Sequence, residues 1–173
     1  MKSVIESFFE NYDEGYAREY EEESVKVCEL EIKKENIEFE LKKAEEIIKN
    51  FKNEHGVVLF KKTGKVFIVK GNKGTVSPKV AVKKLKGAIF THNHTYDYTV
   101  GRGFSRADIN ASIFNKLAEV RVVYKNGFSS ALKLASDIEN ESDWLGIGFT
   151  SGNHDDTEEI KKLLEGYSEV KTI

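Results

Sequence analysis

The chain predicts an α/β (α+β) fold with a central mixed sheet flanked by helices. Three observations carry this: short apolar or alternating runs of strand length, helical stripes between them, and Gly-containing turns at the joints. At 173 residues it is long enough to bury about 70% of its unfolded surface in one domain with an appendage.

The elements follow in order. Residues 2–22 are predicted to form a helix presenting Ile5, Phe8, Phe9, Tyr12 and Tyr16 on one face. Lys26 to Ile32 alternates like a strand, with a helix as the alternative. Phe39, Leu41, Ala44, Ile47, Ile48 and Phe51 recur at i, i+3 and i+4 and mark a firmer helix. Strands follow at Val57–Lys61 and Val66–Val69, with Thr63-Gly64 as the hairpin turn. Pro78 suits the first turn of a short helix reaching Leu85. Gly87-Ala88-Ile89-Phe90 reads as a buried strand running into Thr91-His92-Asn93-His94. A helix opening at Ser105 carries Ile109, Ala111, Ile113, Phe114, Leu117 and Ala118 as its apolar stripe. Strands near Val120–Tyr124 and Ser129–Leu134 are joined by Asn126-Gly127, a strong hairpin signal. Thr157–Leu164 reads as a last helix, capped by a turn that holds His154.

Chemistry concentrates at the end of the Gly87–His94 run. Residues two apart on a strand share a face, so His92 and His94 present both imidazoles to one side. Asp108, in the first turn of the next helix, is placed to add a carboxylate. Two His and one carboxylate leave a fourth tetrahedral position for water, the catalytic rather than the structural zinc arrangement. Ser105-x-x-Asp108 taken alone reads first as a helix cap, with the acid at N3 reaching back. The combination around one strand-to-helix loop favours a metal site. Asp97 is a rival ligand by proximity alone. Cys28 is the single cysteine, which excludes a zinc ribbon and a zinc-deaminase signature. His55 and His154 are isolated, and the string His92-Asn93-His94 lacks the wide histidine spacing of an HNH nuclease.

Glu54, His92-x-His94 and Ser105-x-x-Asp108, in that order, resemble the JAMM (JAB/MPN+) metalloprotease motif. The likeness spans roughly residues 50 to 135 and looks nearest to JAB domains of phage head-morphogenesis and polymorphic-toxin proteins, with RadC proteins more distant. The ten-residue spacer Thr95–Phe104 is longer than the family's commonest one, and Thr95 stands where many bacterial members have Pro. A longer loop closes at little extra entropic cost.

The resemblance implies a JAB/MPN-like fold and a zinc-dependent hydrolase of peptide or isopeptide bonds. His92, His94 and Asp108 would hold Zn2+, Glu54 would act as general base then acid, and Ser105 would donate to the oxyanion. Only its place before Val57-Val58-Leu59-Phe60 sets Glu54 above Glu45 or Glu46. The implied partner is a protein or peptide, such as a ubiquitin-like modifier or a phage protein. Tyr96, Tyr98 and Arg102 of the spacer are expected to form one wall of the substrate groove.

Charge divides the chain into three. Residues 1–50, read as an acidic and mainly helical extension, hold 8 basic and 15 acidic residues. Residues 51–135, the metallohydrolase core, are strongly basic, and residues 136–173 are an acidic segment expected to pack on that core. The plain account is that the flanks neutralise the core. A basic core facing an acidic partner, including nucleic acid, is the rival, but it lacks the aromatic interleaving of single-strand binders. A non-catalytic JAB-like structural or binding module is the other alternative. No run approaches the roughly 20 apolar residues of a membrane span, no signal-peptide pattern opens the chain, and the lone cysteine suits a reducing, cytoplasmic compartment.

Overall fold

Gly64 turns the chain at φ 75°, and a Cβ there would lie 2.2 Å from the Ile32 carbonyl oxygen. Only glycine meets both demands at little cost. The turn joins β2 (His55–Leu59) to β3 (Lys65–Lys70), which pair antiparallel with Val57 opposite Ile68. The computed structural model describes residues 1–96, 104–134, 147–150 and 170–172. Within them one eight-stranded mixed sheet runs in the order β1-β3-β2-β4-β5-β6-β7-β8.

β1 (Val25–Glu31) lines the outer side of β3. β4 (Ile89–His94) runs antiparallel to β2 and parallel to β5 (Glu119–Tyr124). The crossover between that parallel pair is helix α3 (Arg106–Phe114). β6 (Ser129–Leu134) returns through the Asn126-Gly127 turn, and β7 (Ile147–Thr150) and β8 (Val170–Thr172) extend the edge.

Strand alternation builds two cores. Val58, Phe67, Phe90, Val120 and Val122 face α3, where Ile109 and Leu117 meet them. Val57, Leu59, Ile68, Ile89 and Val123 face the other way, against α2 (Ile37–Ile48) and α1 (Val4–Phe9). Each buried Leu, Ile or Val contributes on the order of 1.5–3 kcal/mol. Buried Glu40 of α2 fixes α1 by accepting hydrogen bonds from Ser3 Oγ at 2.5 Å, the Val4 N–H at 2.9 Å and the Ile5 N–H at 3.1 Å. A carboxylate at a helix N-terminus satisfies N–H groups that have no partner within the helix.

The helix expected over residues 2–22 is much shorter, ending at Phe9. Residues 14–22 instead form a strap whose backbone bonds to buried side chains far along the chain. Asn53 donates to the Tyr16 carbonyl and accepts from the Arg18 N–H, and Asn72 donates to the Tyr20 and Glu22 carbonyls. Those bonds replace a helical ladder. Residues 1–50 therefore contribute β1 to the sheet and α1 and α2 to one core. The helix expected from Pro78 is a single 3-10 turn, Pro78–Val80. Phe114, placed in the α3 stripe, is 77% exposed. Five residues beyond Ile109 it lies about 140° around the helix, on the far side.

The acidic flank meets the basic core where both are described. Arg121 lies 2.9 Å from Glu38 and 3.7 Å from Glu45, Lys73 lies 2.9 Å from Glu19, and Lys70 Nζ donates to the Glu14 carbonyl. Residues 135–146, 151–169 and 173 lie outside the described residues, and with them the helix expected at Thr157–Leu164 and the turn at His154. No described helix is long and apolar enough to cross a membrane.

Candidate metal centre

β4 delivers both histidines, and its alternation decides their side. Ile89, Thr91 and Asn93 turn towards α2 or the start of β2, whereas Phe90, His92 and His94 turn towards α3. The Asn93 carboxamide oxygen accepts the His55 N–H at 2.5 Å and its Nδ2 donates to the Asn53 carbonyl at 3.3 Å. These bonds tie the end of β4 to the start of β2, next to Glu54. The Phe90 ring stacks on His92 at 5.0 Å with planes 7° apart. That packing uses the space left by Gly56, where a Cβ would lie 2.4 Å from the Phe90 ring.

α3 delivers the carboxylate through its cap. Ser105 Oγ accepts the Asp108 N–H at 3.1 Å, while the Ser105 N–H donates to Asp108 Oδ2 at 2.8 Å, a full capping box. The Ser105 hydroxyl also donates to Oδ2 at 2.7 Å. The cap thus orients the Asp108 carboxylate towards the two histidines. Asp108 Oδ1 lies 3.1 Å from His92 Nε2, and Oδ2 lies 3.3 Å from His94 Nε2. The two Nε2 atoms are 3.2 Å apart. His92, His94 and Asp108 form a group whose ligand atoms lie within 4.8 Å of one another and which can hold a metal ion. The histidines are 1% and 3% exposed.

The outer contacts suit that use. His94 Nδ1 lies 2.9 Å from the buried Tyr124 hydroxyl and 3.1 Å from that of Tyr96. With Nε2 given to a metal ion, Nδ1 would carry the proton and donate to a hydroxyl oxygen, the tautomer a ligand needs. His92 Nδ1 lies near the Arg121 backbone but makes no hydrogen bond of full geometry.

Electrostatics bind the three groups. Burial opposes charge on His92, but Asp108 outweighs it and raises the His92 pKa. Burial and the neighbouring His92 charge lower that of His94, against the pull of Asp108. Burial would raise the Asp108 carboxyl, yet the two imidazoles hold it well below the usual carboxylate range.

Glu54 is 4% exposed, and burial pushes its carboxyl up to about 7, with His92 opposing and Asp108 adding to the rise. It sits close enough to feel both ligands. Its backbone is gripped on both sides: the Glu54 N–H donates to the Asn72 carbonyl at 2.8 Å, and the Gly71 N–H to the Glu54 carbonyl at 2.8 Å. Asn53 and Asn72 also hold the strap, so residues 14–22 clamp the turns that carry Glu54. Glu45, its sequence rival, faces the other side of the sheet and accepts from Thr91 Oγ1 at 2.9 Å.

Sequence reasoning missed Asn53, Asn72, Asn93 and Tyr124. Tyr124 alone carried a signal, because it lies level with His94 in the parallel pairing of β4 with β5. Asp97, Tyr98 and Arg102 lie outside the described residues. Tyr96 is described and stacks on His94 at 5.2 Å.

A cleft of about 520 Å³ opens beside Asp108, between residues 75–79 and α3. Phe90 and Val120 line its floor, Val76 and Pro78 one wall, and Ala111 and Phe114 the other. No family model, curated protein or solved structure matches the chain.

Proposed function

We propose that the chain is a zinc-dependent metallopeptidase of JAMM type, cleaving peptide or isopeptide bonds in a reducing, cytoplasmic setting. The observation that carries this reading is the convergence of His92 Nε2, His94 Nε2 and the Asp108 carboxylate beside an open cleft. The donor set fits zinc: two imidazole nitrogens and one carboxylate, with tautomer and carboxylate orientation set by Tyr124 and Ser105. When bound, the ion would supply Lewis acidity and bring the pKa of a bound water near 7.

The remaining work falls to the chain. Glu54, buried beside His92 and Asp108, is suited to take the proton of an attacking water and return it to the leaving amine. Its buried position keeps bulk water from that exchange. Ser105 holds Asp108 through its hydroxyl. The Ser105 N–H holds the same carboxylate oxygen, so the hydroxyl would be able to turn and donate to a substrate oxyanion.

Elemental mass spectrometry on wild type and His94→Ala tests the reading first. The expected result is one zinc per wild-type chain, lost in the variant, with a peptide screen then giving cleavage that a chelator and Glu54→Gln abolish. Wild type that takes up no zinc after reconstitution would sink it.

The second reading is a non-catalytic binding module. The close contacts of Asp108 with His92 and His94, together with its cap, favour it, because they give the carboxylate partners without a metal ion. Unchanged biological activity in Glu54→Gln would select this reading.

A further inference from the structure

We propose that the cleft beside Asp108 is a specificity pocket for a bulky apolar side chain of the substrate. This deepens the peptidase reading and rests on it for the word substrate.

Position argues first. Asp108 lines both the metal group and the cleft, so whatever enters the cleft lies against the reacting centre. Phe114, at the far rim, is six residues further along α3, about 9 Å from Asp108 along the axis. An extended peptide crosses that distance in about three residues. The volume falls in the range of about 300–1,000 Å³ usual for ligand pockets.

The lining argues next. Ala107 and Ala111, one turn apart on α3, leave space where longer side chains would close the cleft. Phe90, Val120 and Leu117 offer apolar surface at its base, and Val76 and Pro78 face them. At the outer end Phe114 stays exposed with Lys79 Nζ over its ring at 4.8 Å. Asp108 is engaged by both histidines, and Lys79 is the other charged side chain among the described residues of the lining. Lys79 opposes a lysine or arginine of the substrate at the outer end. An apolar side chain gains from the desolvated base, and a cation entering would be stripped of water beside Lys79.

The test measures binding on full-length, zinc-loaded Glu54→Gln. The probes are end-blocked, fluorescein-labelled Gly/Ser heptapeptides carrying Leu, Phe, Gly or Lys at one position at a time. At one position Leu and Phe are expected to bind at least tenfold tighter than Gly or Lys. Adding Ala111→Trp, at an exposed site, is expected to remove the preference with zinc content unchanged. Adding Phe114→Ser, which leaves the core intact, is expected to weaken Phe binding severalfold.

Equal affinity across the set, no binding at all, or a preference that survives Ala111→Trp would each overturn the pocket. Wild-type cleavage separates the two ideas. Selective binding with no cleavage of any peptide keeps the pocket and removes the peptidase. Cleavage indifferent to the varied residue keeps the peptidase and removes the pocket.

Discussion

The Tyr124 hydroxyl lies 2.9 Å from His94 Nδ1, across the parallel pairing of β4 and β5 in which these two residues are level. β4 has β2 antiparallel on one side and β5 parallel on the other. The site thus grows at the carboxyl end of a strand where sheet direction changes, the usual place for a ligand in open α/β sheets. One neighbour, β2, brings Glu54 at its start, and the other, β5, brings the hydroxyl that orients a ligand.

Tyr124→Phe removes that hydroxyl and keeps the ring packed on Phe128 at 5.6 Å. Among the described residues, the Tyr96 hydroxyl then remains on His94 Nδ1. Zinc affinity is expected to fall about 10–100-fold, the usual cost of losing such an outer contact. Competition with a chromogenic chelator measures it. An unchanged affinity would leave Tyr124 a core residue only.

Gly56→Ala reaches the site through packing. The new methyl would lie 2.4 Å from the Phe90 ring and 3.0 Å from Val69 Cγ2, both buried. Phe90 has to move, and it stacks on His92. A loss of about 1–3 kcal/mol is expected from overpacking, together with weakened zinc binding. Urea denaturation and metal titration on the same sample check both. Retention of both would mean that Phe90 relaxes without disturbing His92.

His55 shows how a buried histidine outside the metal group answers pH. Burial lowers its pKa from 6.5 to about 4, with the Asn53 carbonyl opposing at 2.9 Å from Nδ1. Neutral His55 donates there from Nδ1 and accepts from the Tyr12 hydroxyl at Nε2 over 2.8 Å. Its folded pKa is depressed, so the unfolded chain binds more protons in this window. The stability is whole above pH 6.5 and is lost as pH falls towards 4. About 2 kcal/mol is expected to go by pH 5. In His55→Gln, with chelator present, the drop between pH 7 and 5 should be smaller by that amount. Parallel pH profiles would assign the acid sensitivity to other groups.

Much of this was legible from local pattern. Period-two alternation placed His92 and His94 on one face, and Ser105-x-x-Asp108 marked a helix start in the sequence and a capping box in the structure. What escaped depends on distant partners. The strap looked helical because Ile5, Phe8, Phe9, Tyr12 and Tyr16 recur at helical spacing, yet Asn53 and Asn72 hold its backbone from positions more than 30 residues away. Phe114 counted as stripe by hydrophobicity, although its angle around α3 points it away from Ile109. In the sequence, only its place before Val57-Val58-Leu59-Phe60 set Glu54 above Glu45. Strand pairing separates them, sending Glu45 to Thr91 and leaving Glu54 beside His92.

Glu54→Gln is expected to stabilise the apoprotein while destroying activity. Burial raises this carboxyl from 4.5 to about 7, Asp108 adding to the rise and His92 opposing it. The folded state therefore holds its proton more tightly than the unfolded chain. Below pH 4.5 both states are protonated and the charge penalty is absent. Between 4.5 and 7 the folded state binds more protons, so stability falls as pH rises, and above 7 the penalty is complete. At about 1.4 kcal/mol per unit, the shift from 4.5 to about 7 corresponds to a penalty of roughly 3.5 kcal/mol. Glutamine keeps the shape and never ionises. With chelator present, urea unfolding should show a gain of about 3 kcal/mol at pH 8, shrinking below about 1 kcal/mol at pH 5. Zinc supplies a cation that stabilises the Glu54 carboxylate, so the pH 8 gain should narrow in the loaded protein. A variant no more stable than wild type at pH 8 would mean that Glu54 is well solvated there, and would remove the physical reason for casting it as the base.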